Sequence, residues 1–284
     1  MNALVLGSHG MAGHMIAGYL MEHGWNVTGF ARQSAGVCPT VTGDAENYEF
    51  VADLIRTEKY RVVINAIGVL NQFVDKNPER GIYLNAVFPH RLAADCHEAG
   101  CRLIHISTDC VFSGDKGAYT ESDEPDACSL YGRTKMQGEV IDDENLTIRT
   151  SIVGPELKKY GIGLYHWFMQ QDGQVNGYRK VVWSGVTTLE LAKFIEQVAS
   201  AEVTGLWHLS NNASISKYDL LCLFNRYARR DEIAIHPVDL PVCDKSLLCT
   251  RRDFSYVVPS YEEMMQEMGD WMRQHREWYS QYRI

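Results

Sequence analysis

Short apolar runs alternate with helix-like stretches along the first half of the chain, and this alternation restricts the fold more than any other feature. Predicted strands, rich in β-branched and aliphatic residues, lie at 1–6, 25–30, 61–68, 102–108 and 146–154. Helix-like stretches lie between several of them, at about 11–22, 46–57 and 78–98. Strands separated by helices pair in parallel, because the helix carries the chain back to the same edge of the sheet. The sequence therefore predicts the α/β class, with a doubly wound parallel sheet and helices on both faces.

A glycine-rich loop follows the first predicted strand directly. In LVLGSHGMAGHMI the glycines fall at Gly7, Gly10 and Gly13, where the strand turns into the first helix. Such a turn needs glycine for its backbone geometry, and it lets the main chain approach a pyrophosphate at the positive end of the helix. The loop therefore predicts a dinucleotide site. His9 within it is either a tolerated side chain or a cofactor contact.

The second half of the chain is less regular and indicates a smaller α+β lobe. Helices are predicted near 188–200, 215–229 and 260–281, and short strands near 205–210 and 233–238. We expect residues 1–154 to form the dinucleotide-binding domain, completed by a segment near 183–202. The substrate-binding lobe is then expected to comprise 155–182 and 203–284.

Composition and charge exclude several classes of partner. Of the 284 residues 45% are hydrophobic and 22% charged, and the net charge is −9, which gives no reason to expect nucleic acid or an acidic membrane surface. No apolar stretch approaches the ~18 residues that cross a bilayer. None of the eight cysteines falls in a CxxC motif or beside a histidine cluster, so we expect reduced thiols, no metal site and a cytoplasmic protein.

The end of the second predicted strand bears on which dinucleotide is bound. An NAD-selective site usually presents an acid there to the ribose 2′-OH, but this chain reads GFARQS and carries Arg32. Because arginine pairs with a 2′-phosphate whereas an acid repels it, the sequence favours NADPH over NADH. Asp44, after a short third strand, is expected either to reach the adenine amino group or to cap the next helix.

A hydroxyl, a phenol and an amine are predicted to meet at the edge of the sheet. Thr108 lies at the end of the strand RLIHIST, and Tyr131 and Lys135 are four residues apart on a predicted helix, so they share one face. Carbonyl reduction needs a proton for the developing alkoxide. A nearby ammonium is expected to lower the pKa of a tyrosine, and a threonine hydroxyl can hold the substrate oxygen.

Five motifs in this order and approximate spacing resemble the extended short-chain dehydrogenase/reductases. They are GSHGMAG at 7–13, NAIG at 65–68, Asn85, STDCVF at 107–112 and YGRTK at 131–135. Within that superfamily the chain most resembles the dTDP-4-dehydrorhamnose reductase group, on the stretch from STDCVF to YGRTKMQGE and on RTSIVG at 149–154. The resemblance is close from 1 to about 154 and loose beyond.

The resemblance implies a role for each matching position. Thr108 would hold the carbonyl oxygen, Tyr131 would be the general acid, and Lys135 would tune its pKa and bind the cofactor ribose. The remaining implied cofactor contacts are Gly7, Ser8, His9, Gly10, Met11, Ala12, Asp44, Ala45, Ala66, Ile67, Gly68, Val69, Asn85 and Ile106. Asp109 matches a substrate-contacting position. Ser107 competes with Thr108 for the hydroxyl role, and the family pattern selects Thr108, since alternation sends neighbouring side chains to opposite faces.

The substrate-facing part departs from the group's pattern. Ile152 stands where an aromatic contact is usual, and NGYRKVVWSGVTTLE lacks the usual proline. A nucleotide-diphosphate sugar needs cations opposite its phosphates. The candidates are Arg179 with Lys180 and Arg251 with Arg252, and Trp183 or Tyr178 could stack on the base or sugar. Surface solvation and core packing are the alternatives for these side chains.

The sequence thus predicts an NADPH-dependent reductase of a nucleotide-linked 4-keto-6-deoxy sugar in surface polysaccharide synthesis. Two alternatives remain, an epimerase that keeps NAD tightly bound and a non-catalytic NADP-binding regulatory subunit. The sugar could be dTDP-4-dehydrorhamnose or a UDP-linked 2-acetamido-2,6-dideoxy-4-keto-hexose. The last predicted helix could pack within the lobe or form a homodimer interface.

Overall fold

The structure is a computed structural model that describes residues 1–34 and 36–283. Its strands are β1 (Asn2–Leu6), β2 (Asn26–Ala31), β3 (Thr40–Thr42), β4 (Val62–Asn65), β5 (Arg102–Ile106), β6 (Leu146–Arg149), β7 (Ile152–Val153), β8 (Gln174–Tyr178), β9 (Val181–Trp183), β10 (Val186–Thr187), β11 (Gly205–His208), β12 (Ile215–Ser216), β13 (Ala234–Val238) and β14 (Cys243–Asp244). Its α-helices are α1 (Met11–Glu22), α2 (Tyr48–Thr57), α3 (Asn71–Lys76), α4 (Pro78–Ile82), α5 (Phe88–Ala99), α6 (Leu130–Gln137), α7 (Leu164–Met169), α8 (Thr188–Ser200), α9 (Lys217–Ala228) and α10 (Tyr261–Gln274).

Seven parallel strands form the central sheet, in the order β11-β6-β5-β4-β1-β2-β3. The chain builds the sheet outward from β1 to β3 and then returns to β4 on the other side of β1. The connections that follow the neighbouring strands β1 and β4 therefore leave towards opposite faces of the sheet. This reversal opens a crevice at the carboxyl ends of β1 and β4, where ligands bind in doubly wound folds. The predicted fold class is confirmed.

Alternating side chains of β1 show why both faces carry helices. Ala3 and Val5 belong to a buried apolar cluster with α1 and α8, whereas Leu4 and Leu6 belong to a second cluster with α2 and α5. Successive strand residues point to opposite faces, and β1 is apolar on both. The sheet is therefore buried on its two sides.

The second half of the chain contains both part of the sheet and a separate lobe. We expected the strand near 205 to lie in the lobe, but β11 instead pairs in parallel with β6 as an edge strand of the central sheet. The reason is that α8 packs beside α1 and returns the chain to that edge. The three small sheets, β12-β9-β14, β13-β8 and β10-β7, accompany α7, α9 and α10. The rest of the predicted domain division stays a prediction.

The last predicted helix is shorter than expected. α10 ends at Gln274 instead of near 281, and its Ser260 N-cap forms a capping box with Glu263. His275 leaves the helical conformation, and residues 275–282 continue as turns in which Tyr279 and Tyr282 are buried. Contacts of the two buried tyrosines hold this segment, with the Tyr279 hydroxyl 3.0 Å from His14 Nε2 and the Tyr282 hydroxyl 2.6 Å from His166 Nδ1.

A helix with a π-turn and a buried ion pair position the elements around the crevice. α4 and α5 are joined by a π-helical turn, Tyr83–Val87, which carries the fully buried Asn85. Glu139, just after α6, binds Arg149 of β6 through two hydrogen bonds of 2.7 Å, and both side chains are buried.

No helix among the described residues is long and apolar enough to cross a membrane. All eight cysteines have free thiols.

We expect Glu139→Gln to lower the free energy of unfolding by about 3–5 kcal/mol, because Arg149 is left as a buried charge without its carboxylate. Urea denaturation followed by circular dichroism measures the change. The matched control is Glu49→Gln, which removes an exposed pair with Arg91 and should leave the urea midpoint unchanged. Equal midpoints for the Glu139 variant and the parent would contradict the role given to the pair.

Candidate active site

The glycine loop turns tightly from β1 into α1. Gly7 has a φ of +86°, a region that favours glycine, and the Gly10 amide donates to the Gly7 carbonyl at 2.8 Å. A Cβ on Gly13 would lie 2.1 Å from the Gly7 oxygen, so no other residue fits there without moving the backbone. The first turn of α1 thereby faces the crevice, and its free amides suit a pyrophosphate.

A second loop, after β4, lies beside the glycine loop and is held open by Asn85. The Asn85 side chain accepts from the Val69 amide and donates to the Val69 carbonyl, both at 2.8 Å, and it also donates to Thr134 of α6 at 3.1 Å. Gly68 remains exposed. The two loops lie at the carboxyl ends of β1 and β4, and their glycines and backbone amides suit the phosphates of a dinucleotide, so the residues present fit such a cofactor.

The residues that sequence analysis assigned to the adenosine end lie at the same edge. Arg32 is exposed directly after β2. Asp44 follows β3 but does not cap α2, because Asn47 occupies that position. Asp44 instead accepts from the Glu46 amide at 3.1 Å and pairs with Arg80 at 3.5 Å. A contact from Asp44 to adenine stays a prediction.

The end of β5 separates the two candidate hydroxyls. Ser107 is turned to the buried ion pair and donates to Glu139 at 2.7 Å. Thr108 lies on the other side, where its hydroxyl caps the 3₁₀ turn Asp109–Val111 and stands next to the Tyr131 phenol. This geometry agrees with the choice of Thr108, because consecutive strand residues face opposite ways.

Tyr131 is buried at the start of α6, where Ser129 caps the helix. Burial raises the pKa of Tyr131 above its usual value, the thiol of Cys110 raises it further, and only Thr108 lowers it. Lys135 does not contribute to this shift in the protein without ligands, and its expected lowering of the Tyr131 pKa beside the bound cofactor stays a prediction. The physical reason is that the lysine amine is directed elsewhere, so desolvation of the phenol dominates.

Lys135 lies one turn further along α6 and is buried as well. Its Nζ donates to the Ile106 carbonyl at 2.8 Å and lies 3.2 Å from His105 Nε2. Burial lowers the pKa of Lys135 to about 8, while the charge of Glu139 acts in the opposite direction. Thr108, Tyr131 and Lys135 thus meet at the carboxyl end of β5, as the sequence predicted.

Two of the predicted substrate contacts are wrong. The ring of Trp183 is only 2% exposed and packs against Tyr261 with ring centres 5.6 Å apart, so it cannot stack on a ligand. Arg251 donates to the Thr204 and Leu206 carbonyls. Those atoms lie at the amino end of β11, the sheet edge opposite the crevice.

The other predicted substrate contacts remain predictions. Arg179 is exposed and pairs with Asp239 at 2.7 Å. Lys180, Tyr178 and Arg252 are exposed too, and Ile152 is half-buried just after β6.

Two lysines that sequence analysis missed lie near the catalytic edge. Lys217 begins α9 and Lys245 follows β14, and the charges of both act on Asp109 beside Thr108. They lower the pKa of Asp109, although burial outweighs them and raises it. Both lie more than 100 residues from Asp109 in the sequence, so no local pattern could have identified them.

Comparison with curated proteins gives relatives of several kinds. The chain is 34% identical over 161 residues to a Haloferax volcanii protein named "Probable low-salt glycan biosynthesis reductase Agl14", covering 54% of each chain, so it spans about half the length of that relative. It is 24% identical to methionine adenosyltransferase 2 subunit beta of Xenopus tropicalis, covering 78% of this chain and 70% of the relative. It is 27% identical to dTDP-4-dehydrorhamnose reductase of Escherichia coli K12, covering 83% and 81%.

A solved structure and a family profile complete the comparison. The dTDP-4-dehydrorhamnose reductase of Bacillus anthracis in complex with NADP superposes with a TM-score of 0.79 at 19% identity, covering 94% of this chain and 98% of that one, which shows a shared fold. The family profile described as the RmlD substrate binding domain matches residues 1–245. The chain therefore belongs to the RmlD substrate binding domain family.

Proposed function

We propose that this protein is an NADPH-dependent reductase of the 4-keto group of a nucleotide-diphosphate 6-deoxy sugar. The observation that carries the proposal is the meeting of Thr108, Tyr131 and Lys135 at the carboxyl end of β5, beside the two cofactor loops. The names of the E. coli and B. anthracis relatives support it.

The chemistry divides between the cofactor and three side chains. Bound NADPH supplies a hydride to the carbonyl carbon. The Thr108 hydroxyl donates a hydrogen bond to the carbonyl oxygen and holds it where negative charge develops. Tyr131 gives its proton to that oxygen. The raised pKa of Tyr131 suits this direction, because the phenol keeps its proton until the more basic alkoxide forms.

The choice of NADPH as cofactor rests on the residues at the carboxyl end of β2. Arg32 is free to approach a 2′-phosphate, and the chain carries no acid there that would repel one. The complex of the B. anthracis protein with NADP supports the same choice. The first turn of α1 would bind the pyrophosphate, and Lys135 the ribose hydroxyls.

The substrate would lie between the catalytic edge and the second lobe. Lys217 and Lys245 supply positive charge next to Asp109, on the side where a sugar diphosphate would extend from the reacting carbonyl. The dTDP-linked 4-keto-rhamnose precursor is the first candidate, and a UDP-linked 2-acetamido-2,6-dideoxy-4-keto-hexose is the second. Either product would serve surface polysaccharide synthesis in the cytoplasm.

A second candidate function is a regulatory subunit, favoured by the similarity to methionine adenosyltransferase 2 subunit beta. Such a protein needs the cofactor site but no proton donor. The buried and assembled set of Thr108, Tyr131 and Lys135 argues for the enzyme instead.

Purified protein should oxidise NADPH in proportion to added dTDP- or UDP-linked 4-keto sugar, as followed at 340 nm. Tyr131→Phe should reduce kcat by about 10²–10⁴-fold, because the general acid is lost. NADPH affinity should be retained, and the control Tyr60→Phe, just before the amino end of β4, should keep full activity. Absence of turnover with either class of sugar removes the proposal, and turnover without net NADPH loss indicates an epimerase.

Arg32→Ala should raise the KM for NADPH by about ten- to a hundredfold, because a charge-assisted hydrogen bond of about 1.5–3 kcal/mol is lost. The KM for NADH should change little, since NADH lacks the 2′-phosphate. Steady-state kinetics with both cofactors measure the ratio, and Arg61→Ala at the amino edge of β4 is the matched control. A parallel loss for both cofactors would show that Arg32 does not read the phosphate.

Lys135→Met should abolish activity yet stabilise the protein below pH 8. Folding lowers the pKa of Lys135 from 10.5 to about 8, so burying the ammonium costs stability fully below pH 8 and no longer above about pH 10.5. The gain at pH 7 is at most on the order of 3 kcal/mol. Urea denaturation at pH 7 and pH 10 should show the gain shrinking. A stability gain that is equal at pH 7 and pH 10 would contradict a lowered pKa for Lys135.

A further inference from the structure

A loop after β7 lies against the start of α1, where the phosphates of the dinucleotide are expected to bind. This loop, residues 155–163, is called the Glu156 loop here, and it leads into α7. A Cβ built on Gly163 would lie 3.0 Å from Met11 Sδ, so the end of the loop packs directly against the first residue of α1. The Glu156 loop therefore borders the free amides that suit a pyrophosphate.

Hydrogen bonds hold the Glu156 loop in one conformation. The Glu156 carboxylate belongs to a residue that is only 9% exposed, and it accepts from the Ile162 amide at 2.9 Å and from the Gly163 amide at 2.7 Å. These two bonds close the loop on itself. The Glu156 amide donates to the Tyr282 hydroxyl at 3.0 Å, which ties the beginning of the loop to the C-terminal segment. A loop fixed in this way loses little conformational entropy when a ligand binds.

The exposed part of the Glu156 loop places a cation beside the glycine loop. Lys158 is exposed, and its positive charge acts on His9, which lies between Gly7 and Gly10. Burial lowers the pKa of His9, and the ammonium of Lys158 lowers it further. Within the described part of the chain, no carboxylate forms an ion pair with Lys158.

The charges around the glycine loop are those of a site for an anion. A lysine beside a histidine disfavours protonation of the ring, and an anion near both groups would reverse that effect. Arg32 adds a second permanent cation, one residue before Gln33, whose carbonyl accepts a hydrogen bond from His9. The chain as a whole has a net charge of −9, so composition does not explain this local surplus of positive charge.

We propose that Lys158 is a cofactor-binding residue that pairs with the pyrophosphate of the dinucleotide. The inference deepens the proposed reductase function and rests on its dinucleotide site. The amides of the first turn of α1 would supply neutral hydrogen bonds to the phosphates, and the Lys158 ammonium would add a charge-assisted one. Arg32 would then bind the 2′-phosphate, whereas Lys158 would bind the part that NADPH and NADH share.

Isothermal titration calorimetry with NADP⁺ and NAD⁺ on the full chain tests the assignment without turnover. Lys158→Gln should raise the Kd of both dinucleotides by about tenfold, because both carry the pyrophosphate. Lys158→Arg should bind as tightly as the parent, since a guanidinium also pairs with phosphate. The matched control is Lys159→Gln, which removes the same charge from the same loop. Lys159 lines a surface hollow with Trp167 of α7, so this variant should leave both Kd values unchanged.

The ring of His9 gives a second readout by NMR titration. In the protein without ligands, Lys158→Gln should raise the pKa of His9, because a neighbouring cation is removed. Saturation of the parent with NADP⁺ should also raise it, because the pyrophosphate brings negative charge to the same place. A His9 pKa that is unmoved by both changes would overturn the inference.

The binding data separate this inference from the proposed function. If the parent binds dinucleotides and Lys158→Gln binds both equally well, the inference fails while the proposed function stands. A loss confined to NADP⁺ would assign Lys158 to the 2′-phosphate and would overturn the pyrophosphate assignment. An equal loss in Lys159→Gln would show a general effect of charge and would overturn it as well. A parent protein that binds neither dinucleotide would remove the proposed function together with the inference.

Discussion

The buried ion pair between Glu139 and Arg149 is the interaction on which the catalytic geometry depends. It ties the end of α6 to β6, and the same carboxylate binds Ser107 at the end of β5. With α6 held there, Tyr131 and Lys135 are fixed over the strand end that carries Thr108. A buried pair of charges contributes little net stability over apolar residues, but it defines one arrangement, because any other leaves a charge without its partner.

Desolvation then sets the chemistry of the groups that this arrangement brings together. It raises the pKa of Tyr131 and lowers the pKa values of Lys135 and His105, since in each case burial disfavours the charged form. The phenol is consequently a proton donor at rest, and the amine lies close to the pH range in which it can exchange a proton. The sequence alone suggests a different mechanism, in which a lysine charge acts directly on the tyrosine.

The sequence predicted the first half of the molecule well, whereas two of the substrate contacts that it suggested are wrong. The bounds of α1 and α8 and the position of α6 agree with the prediction, because each is determined by local apolar spacing and by residues that begin or end a helix. Trp183 and Arg251 were assigned to the substrate, and both serve packing instead. An aromatic ring or an arginine has the same local signature in either role, since only distant segments decide whether it is covered.

By itself, then, the sequence determined the parallel sheet, the glycine loop and the phenol–amine pair on one helix face. These follow from periodicity and from the backbone needs of a few residues. The tertiary structure decided which charges surround that pair. The charges of Lys217 and Lys245 act on Asp109, and Asn65 Nδ2 lies 3.1 Å from His105 Nδ1, so segments far apart in the chain surround these groups. Proton affinity depends on the whole shell of neighbours around a group, and that shell exists only after the chain has folded.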